Sequence, residues 1–83
     1  MTKDEIFEKM RGVLSVVRPT ADIDKITYDT VLVKDLALDS LSMLLMGLAI
    51  EKEFDVRFED NIQFVTVGDV YDAILKLLDA KKG

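Results

Sequence analysis

The chain has 83 residues, a formal net charge of −5, no cysteine and no histidine. It is short enough to be one domain, and it can build no disulfide, no Cys/His zinc site and no Cys–His or Ser–His catalytic pair. Sixteen acidic against eleven basic residues argue against nucleic acid, whose binders must neutralise phosphates, and against an anionic membrane surface.

With 49% hydrophobic residues, stability must come from apolar packing. The longest apolar run, 43–50, is far too short to cross a bilayer. The first ten residues mix both charges and lack the apolar stretch of a signal peptide. A cytoplasmic monomer is therefore expected.

The first predicted element is an amphipathic helix. Ile6, Phe7, Met10, Val13, Leu14 and Val17 recur on one helical face. Thr2 with Glu5 reads as a capping box. Pro19 turns Arg18 away from helical dihedrals, so the helix ends there. Residues 19–38 read as a long ordered loop, in which isolated apolar side chains alternate with turn residues. The segment Thr30–Val33 resembles a strand, but no partner strand is evident, and loop is the expectation. Long loops of this kind tend to carry function.

Asp39 reads as the N-cap of a second helix that opens at Ser40 and runs to about Phe54. At 100° per residue its apolar residues form two stripes. Met43, Met46, Gly47, Ile50 and Phe54 are assigned to the core. Leu41, Leu44, Leu45 and Leu48 share the other side with Lys52 and Asp55, so they are assigned to solvent. A short helix is expected around Glu59–Ile62. A last helix is capped by Thr66 and Asp69, with Val67, Val70, Tyr71, Ile74, Leu77 and Leu78 facing inward. The expected fold is all-α: a small four-helix bundle of three main helices and one short one, with a long loop between the first and second.

Of the three serines, Ser15 lies within a helix and Ser42 in a first turn. Ser40 sits where a long loop meets a helix start, and free backbone N–H groups there favour an anion such as phosphate. Taken alone, Asp39–Ser40 could equally be a plain cap. The wider pattern is more specific. Asp35–Leu36, then Asp39–Ser40–Leu41 at the head of an apolar helix, then Glu51, Glu53, Phe54, Asp55 and Val56, then Thr66–Val67–Gly68–Asp69–Val70 with Ile74, together resemble the acyl carrier protein family over nearly the whole chain.

That resemblance implies a carrier and not an enzyme. Ser40 would receive 4′-phosphopantetheine from coenzyme A through a phosphopantetheinyl transferase, which would supply both the base and the magnesium. The terminal thiol of the arm would then hold an acyl group as a thioester. Asp35, Asp39, Glu51 and Asp55 match the family's recognition positions for partner enzymes with basic docking patches. Residues 19–63 carry ten acids and four bases, a net of −6, and the rest of the chain a net of +1.

The chain also departs from the family pattern. Ser42, Leu45 and Lys52 stand where acids are common, so Leu41, Leu44, Leu45 and Leu48 are either a contact stripe for a partner or core beneath a loop. Ala37 replaces a frequent glycine, so a left-handed backbone there would be costly. The inner stripe of the second helix, with Ile74, could line an acyl cavity or be simple core. A peptidyl or D-alanyl carrier, and an unmodified interaction module of the same fold, remain as alternatives.

Overall fold

A computed structural model of the chain describes residues 2–20, 22–58 and 63–82. Four α-helices lie among them: α1 (Lys3–Val17), α2 (Leu32–Leu36), α3 (Ser40–Phe54) and α4 (Val67–Lys82), with a 3-10 turn at Ile23–Lys25. The all-α bundle with three main helices is as expected, and a short helix at Leu32–Leu36 adds to it where loop was expected. The expected turn at 59–62 lies outside the described residues.

The α1 helix begins where Thr2 accepts the Glu5 N–H at 3.2 Å, while the Thr2 hydroxyl donates to Glu5 Oε1 at 3.1 Å. It ends at Arg18, before the proline. The start of α4 is a full reciprocal box. Thr66 Oγ1 accepts the Asp69 N–H at 3.1 Å, and Asp69 Oδ2 accepts the N–H groups of Val65 and Thr66 at 2.9 and 3.0 Å. These bonds hold the Asp69 carboxyl below its ordinary range, the Thr66 N–H contributing most.

The three long helices meet on one apolar core. Ile6, Met10 and Leu14 of α1, Met46 and Ile50 of α3, and Val67, Val70 and Ile74 of α4 are all essentially inaccessible. Full burial of each such side chain contributes roughly 1.5–3 kcal/mol. Among the described residues no charged side chain is buried. Met46, Ile50 and Phe54 are buried and Met43 packs against them, so the inner stripe of α3 faces the core.

The connection from α1 to α3 departs most from expectation. Residues 32–36 are helical, not loop. Local propensity did not announce this, because a five-residue helix rich in β-branched neighbours is not stable alone. Long-range pairing holds it. Val31 forms an antiparallel bridge with Thr66, so the missing strand partner is a single residue at the head of α4. The Leu32 N–H donates to the Val65 carbonyl and the Val67 N–H to the Thr30 carbonyl, both at 2.9 Å. Arg11 Nη2 ties the loop to α1 by donating to the Ile26 carbonyl at 3.1 Å.

Two backbone positions here are tightly constrained. Ala37 is left-handed, at φ 55° and ψ 37°, so the chain accepts the cost that the sequence suggested it would avoid. The Leu38 N–H reaches the Leu32 carbonyl at 3.2 Å, and the Ala37 N–H bonds the same carbonyl, so the end of α2 is closed on its first residue. At Gly68, whose N–H donates to the Tyr28 carbonyl at 2.8 Å, a Cβ would lie 2.5 Å from the Tyr28 ring. That ring is fixed by an edge contact with Tyr71 and by its hydroxyl donating to Asp72.

Two stability predictions follow from these positions. Gly68→Ala should lower stability by about 1–3 kcal/mol, as overpacking does, and most of the loss should vanish in a Tyr28→Ser background when both are measured by urea unfolding. Ala37→Gly should raise stability by about 0.5–1 kcal/mol, because relief of the left-handed strain exceeds the added unfolded-chain entropy. Calorimetry showing no gain would contradict the assigned backbone.

Candidate functional site

The site is built around the first turn of α3. Leu36 and Leu38 are both buried, and the left-handed Ala37 between them turns the chain so that Asp39 and Ser40 emerge exposed. Asp39 is the N-cap in extended backbone, and its Oδ1 accepts the Ser42 N–H at 2.8 Å. Ser40 is the first helical residue. Its own N–H and that of Leu41 belong to the donors that an α-helix leaves without intrahelical partners. An exposed hydroxyl beside free N–H groups suits a phosphate ester formed on that hydroxyl: the donors face the anion that would appear there.

The Asp39 carboxyl is held below its ordinary value, first by the Ser42 N–H, then by the Ser42 hydroxyl, with the Arg18 charge a smaller contribution. Arg18 is the residue that sequence reasoning passed over. It is remote from Ser40 along the chain, and only the fold brings it into one cleft with Leu36 and Ala37.

The four acids assigned to docking are all exposed or half-buried, and each also has a local task. Asp35 Oδ2 accepts the Val31 N–H at 2.7 Å and so closes the start of α2. Glu51 Oε2 accepts the Phe58 N–H at 2.7 Å. Asp55 is left-handed at φ 53° and faces Lys81, whose Nζ lies 2.6 Å from its carbonyl and 3.2 Å from Oδ2. The acids are therefore posed by the fold, and Asp55 is partly offset by a cation.

The leucine stripe is on the surface. Leu41, Leu44, Leu45 and Leu48 are 64%, 60%, 49% and 54% exposed, so no described segment covers them and they are not core. By helical geometry Ser40, Leu44, Glu51, Asp55 and Leu48 fall within one quadrant of α3, with Leu41, Lys52 and Leu45 next to it. A groove of about 730 Å³ continues this face between the ends of α3 and α4, with Leu48, Val56 and Leu77 as its apolar residues and Lys52, Asp55 and Lys81 among its charged ones. Among the described residues no cluster of metal ligands occurs and no helix is long and apolar enough to cross a membrane.

Residues 4–74 match the family described as the phosphopantetheine attachment site. The chain is 42% identical over 61 residues to the acyl carrier protein of Petrotoga mobilis, covering 74% of this chain and 71% of that one. It is 38% identical over 78 residues to the acyl carrier protein of Borrelia garinii subsp. bavariensis, covering 92% and 96%. The mitochondrial acyl carrier protein of Saccharomyces cerevisiae is 32% identical over 85 residues, covering 96% and 68%.

The Asp39 carboxylate should contribute stability above its unfolded value near 3.8 and lose that contribution as pH falls through its lower folded value. Asp39→Ala should therefore be less stable than the parent at neutral pH, and the gap should close as the solution is acidified below about 3.8. Thermal unfolding across pH 2–7 checks this. A gap that stays constant with pH would mean that the cap charge is not involved.

Proposed function

The chain belongs to the acyl carrier protein family, and from that premise we propose that Ser40 is the residue that takes the prosthetic group. The group is 4′-phosphopantetheine, and the role is that of a carrier served by enzymes. The observation that supports Ser40 is its exposure at the head of α3, directly after the turn anchored by Leu36 and Leu38. Esterification there would place one phosphate charge at the positive end of α3. The chain's own residues hold the hydroxyl in the open and cap the helix behind it. The transferase supplies the chemistry of attachment, and the thiol of the arm supplies the thioester chemistry.

The partners in this reading are a phosphopantetheinyl transferase and acyl-transferring or acyl-modifying enzymes, met in the cytoplasm by a monomeric carrier domain. Asp35, Asp39, Glu51 and Asp55 form an acidic rim that complements basic docking patches. Rim charges of this kind speed association more than they strengthen the final complex. The leucines give the face an apolar centre, and Lys52 places one cation in it. This combination favours a partner with an apolar depression and at least one acid, and hence a carrier dedicated to a particular acyl pathway.

Incubation of the apo protein with coenzyme A and a broad-specificity transferase should add one phosphopantetheinyl mass, and Ser40→Ala should add none. Mass gain by the variant, or no gain by the parent, would overturn the assignment. Leu45→Glu should change stability by no more than about 0.5 kcal/mol, as expected for a surface position. It should nevertheless reduce turnover of the loaded carrier by its acyl-transferring partner. A large loss of stability would return Leu45 to the core.

A further inference from the structure

A second cleft, of about 430 Å³, lies on the path that leads into Ser40. Arg18, Thr20, Thr30, Ile26, Leu36 and Ala37 contribute to it, from the end of α1, the connecting loop and the α2 turn. Its other charged residues each have a local contact. Lys25 faces Asp22 at 3.7 Å, and Asp35 is bonded to the Val31 N–H. Arg18 is exposed and belongs to none of the ion pairs among the described residues. Arg18 shares this cleft with Leu36 and Ala37, the residues that lead into the α3 cap, and its charge, after the hydrogen bonds from Ser42, also helps to hold the Asp39 carboxyl down.

We propose that Arg18 is the counter-ion of the phosphodiester on Ser40, and that this cleft receives the proximal part of the pantetheine arm. The proposal rests on attachment at Ser40. Its chemistry is complementary at each point. A phosphodiester keeps one negative charge, and a guanidinium fork bonds two phosphate oxygens at once. The Thr20 hydroxyl can serve the amides of the arm, and Leu36 and Ala37 offer apolar contact to its dimethyl segment; the Thr30 hydroxyl already accepts the Thr27 N–H at 2.8 Å. On α3 itself the first cation after Ser40 is Lys52, about 18 Å further along the axis. An arm held by Arg18 would leave the leucine face of α3 open to a partner while the carrier is at rest.

The test compares amide and arginine side-chain NMR spectra of the full chain before and after attachment, with loading verified by intact mass. In the parent, attachment should shift the Arg18 Nε–H signal and the amides of Thr30 and Leu36, as well as those of Leu41 and Ser42. Arg18→Gln should gain the same mass, keep the shifts at Leu41 and Ser42, and lose at least half of those at Thr30 and Leu36. Arg18→Lys, which keeps the charge without the fork, should fall between. Equal shifts in parent and Arg18→Gln, or shifts confined to α3 in the parent, would overturn the role of Arg18 and leave attachment intact. A parent that gains no mass would overturn attachment itself, and this proposal with it.

Discussion

Leu36 and Leu38 are both buried, and only one residue separates them. A helix cannot turn two side chains so close in sequence into one core without reversing its backbone, and Ala37 does so in the left-handed region. The rest of the site depends on that turn. It ends α2, places Asp39 in the extended conformation that an N-cap requires, and delivers Ser40 to solvent at a fixed place. Left-handed backbone at a residue with a Cβ is retained only where the surrounding structure over-determines it, and two anchored leucines do that. The exposed serine is thus immobilised by its buried neighbours and needs no partner of its own.

The same logic explains which parts of the fold could be read from the sequence. Helices α1, α3 and α4 announce themselves because their signals are local: Thr2 with Glu5, Asp39 before an apolar run, Thr66 with Asp69, and faces that repeat with the helical period. The segment from Leu32 to Leu36 has no such signal. Its carbonyls and N–H groups are placed by Val65, Thr66 and Val67, more than thirty residues away. Ala37 misled for a related reason. Propensity argues against left-handed alanine, and the packing that enforces it is not visible until the leucines on either side are known to be buried. At the site, Asp39 and Ser40 were legible as a cap and a motif, whereas Arg18 was not, since only the folded loop brings it to the cleft.

Charge and apolar surface divide the work along α3. The acids at 35 and 51 accept backbone N–H groups, and the exposed Asp55 pairs with Lys81. Between them the leucines present a hydrophobic strip of a kind that small monomers seldom leave bare without use. The lack of cysteine and histidine fits the same division: a carrier's working thiol comes with the prosthetic group, and the catalysis comes from the enzymes that visit it.

If the turn at Ala37 singles out Ser40 for attachment, the neighbouring serines stay unmodified. Ser42 lies two residues further on, with its N–H donating to Asp39 Oδ1 at 2.8 Å, and it is the natural competitor. Tryptic digestion of the loaded protein followed by fragmentation of the peptide covering 35–52 distinguishes them. The account predicts the phosphopantetheinyl group on Ser40 alone. Its appearance on Ser42, or on Ser15 in a different peptide, would contradict it.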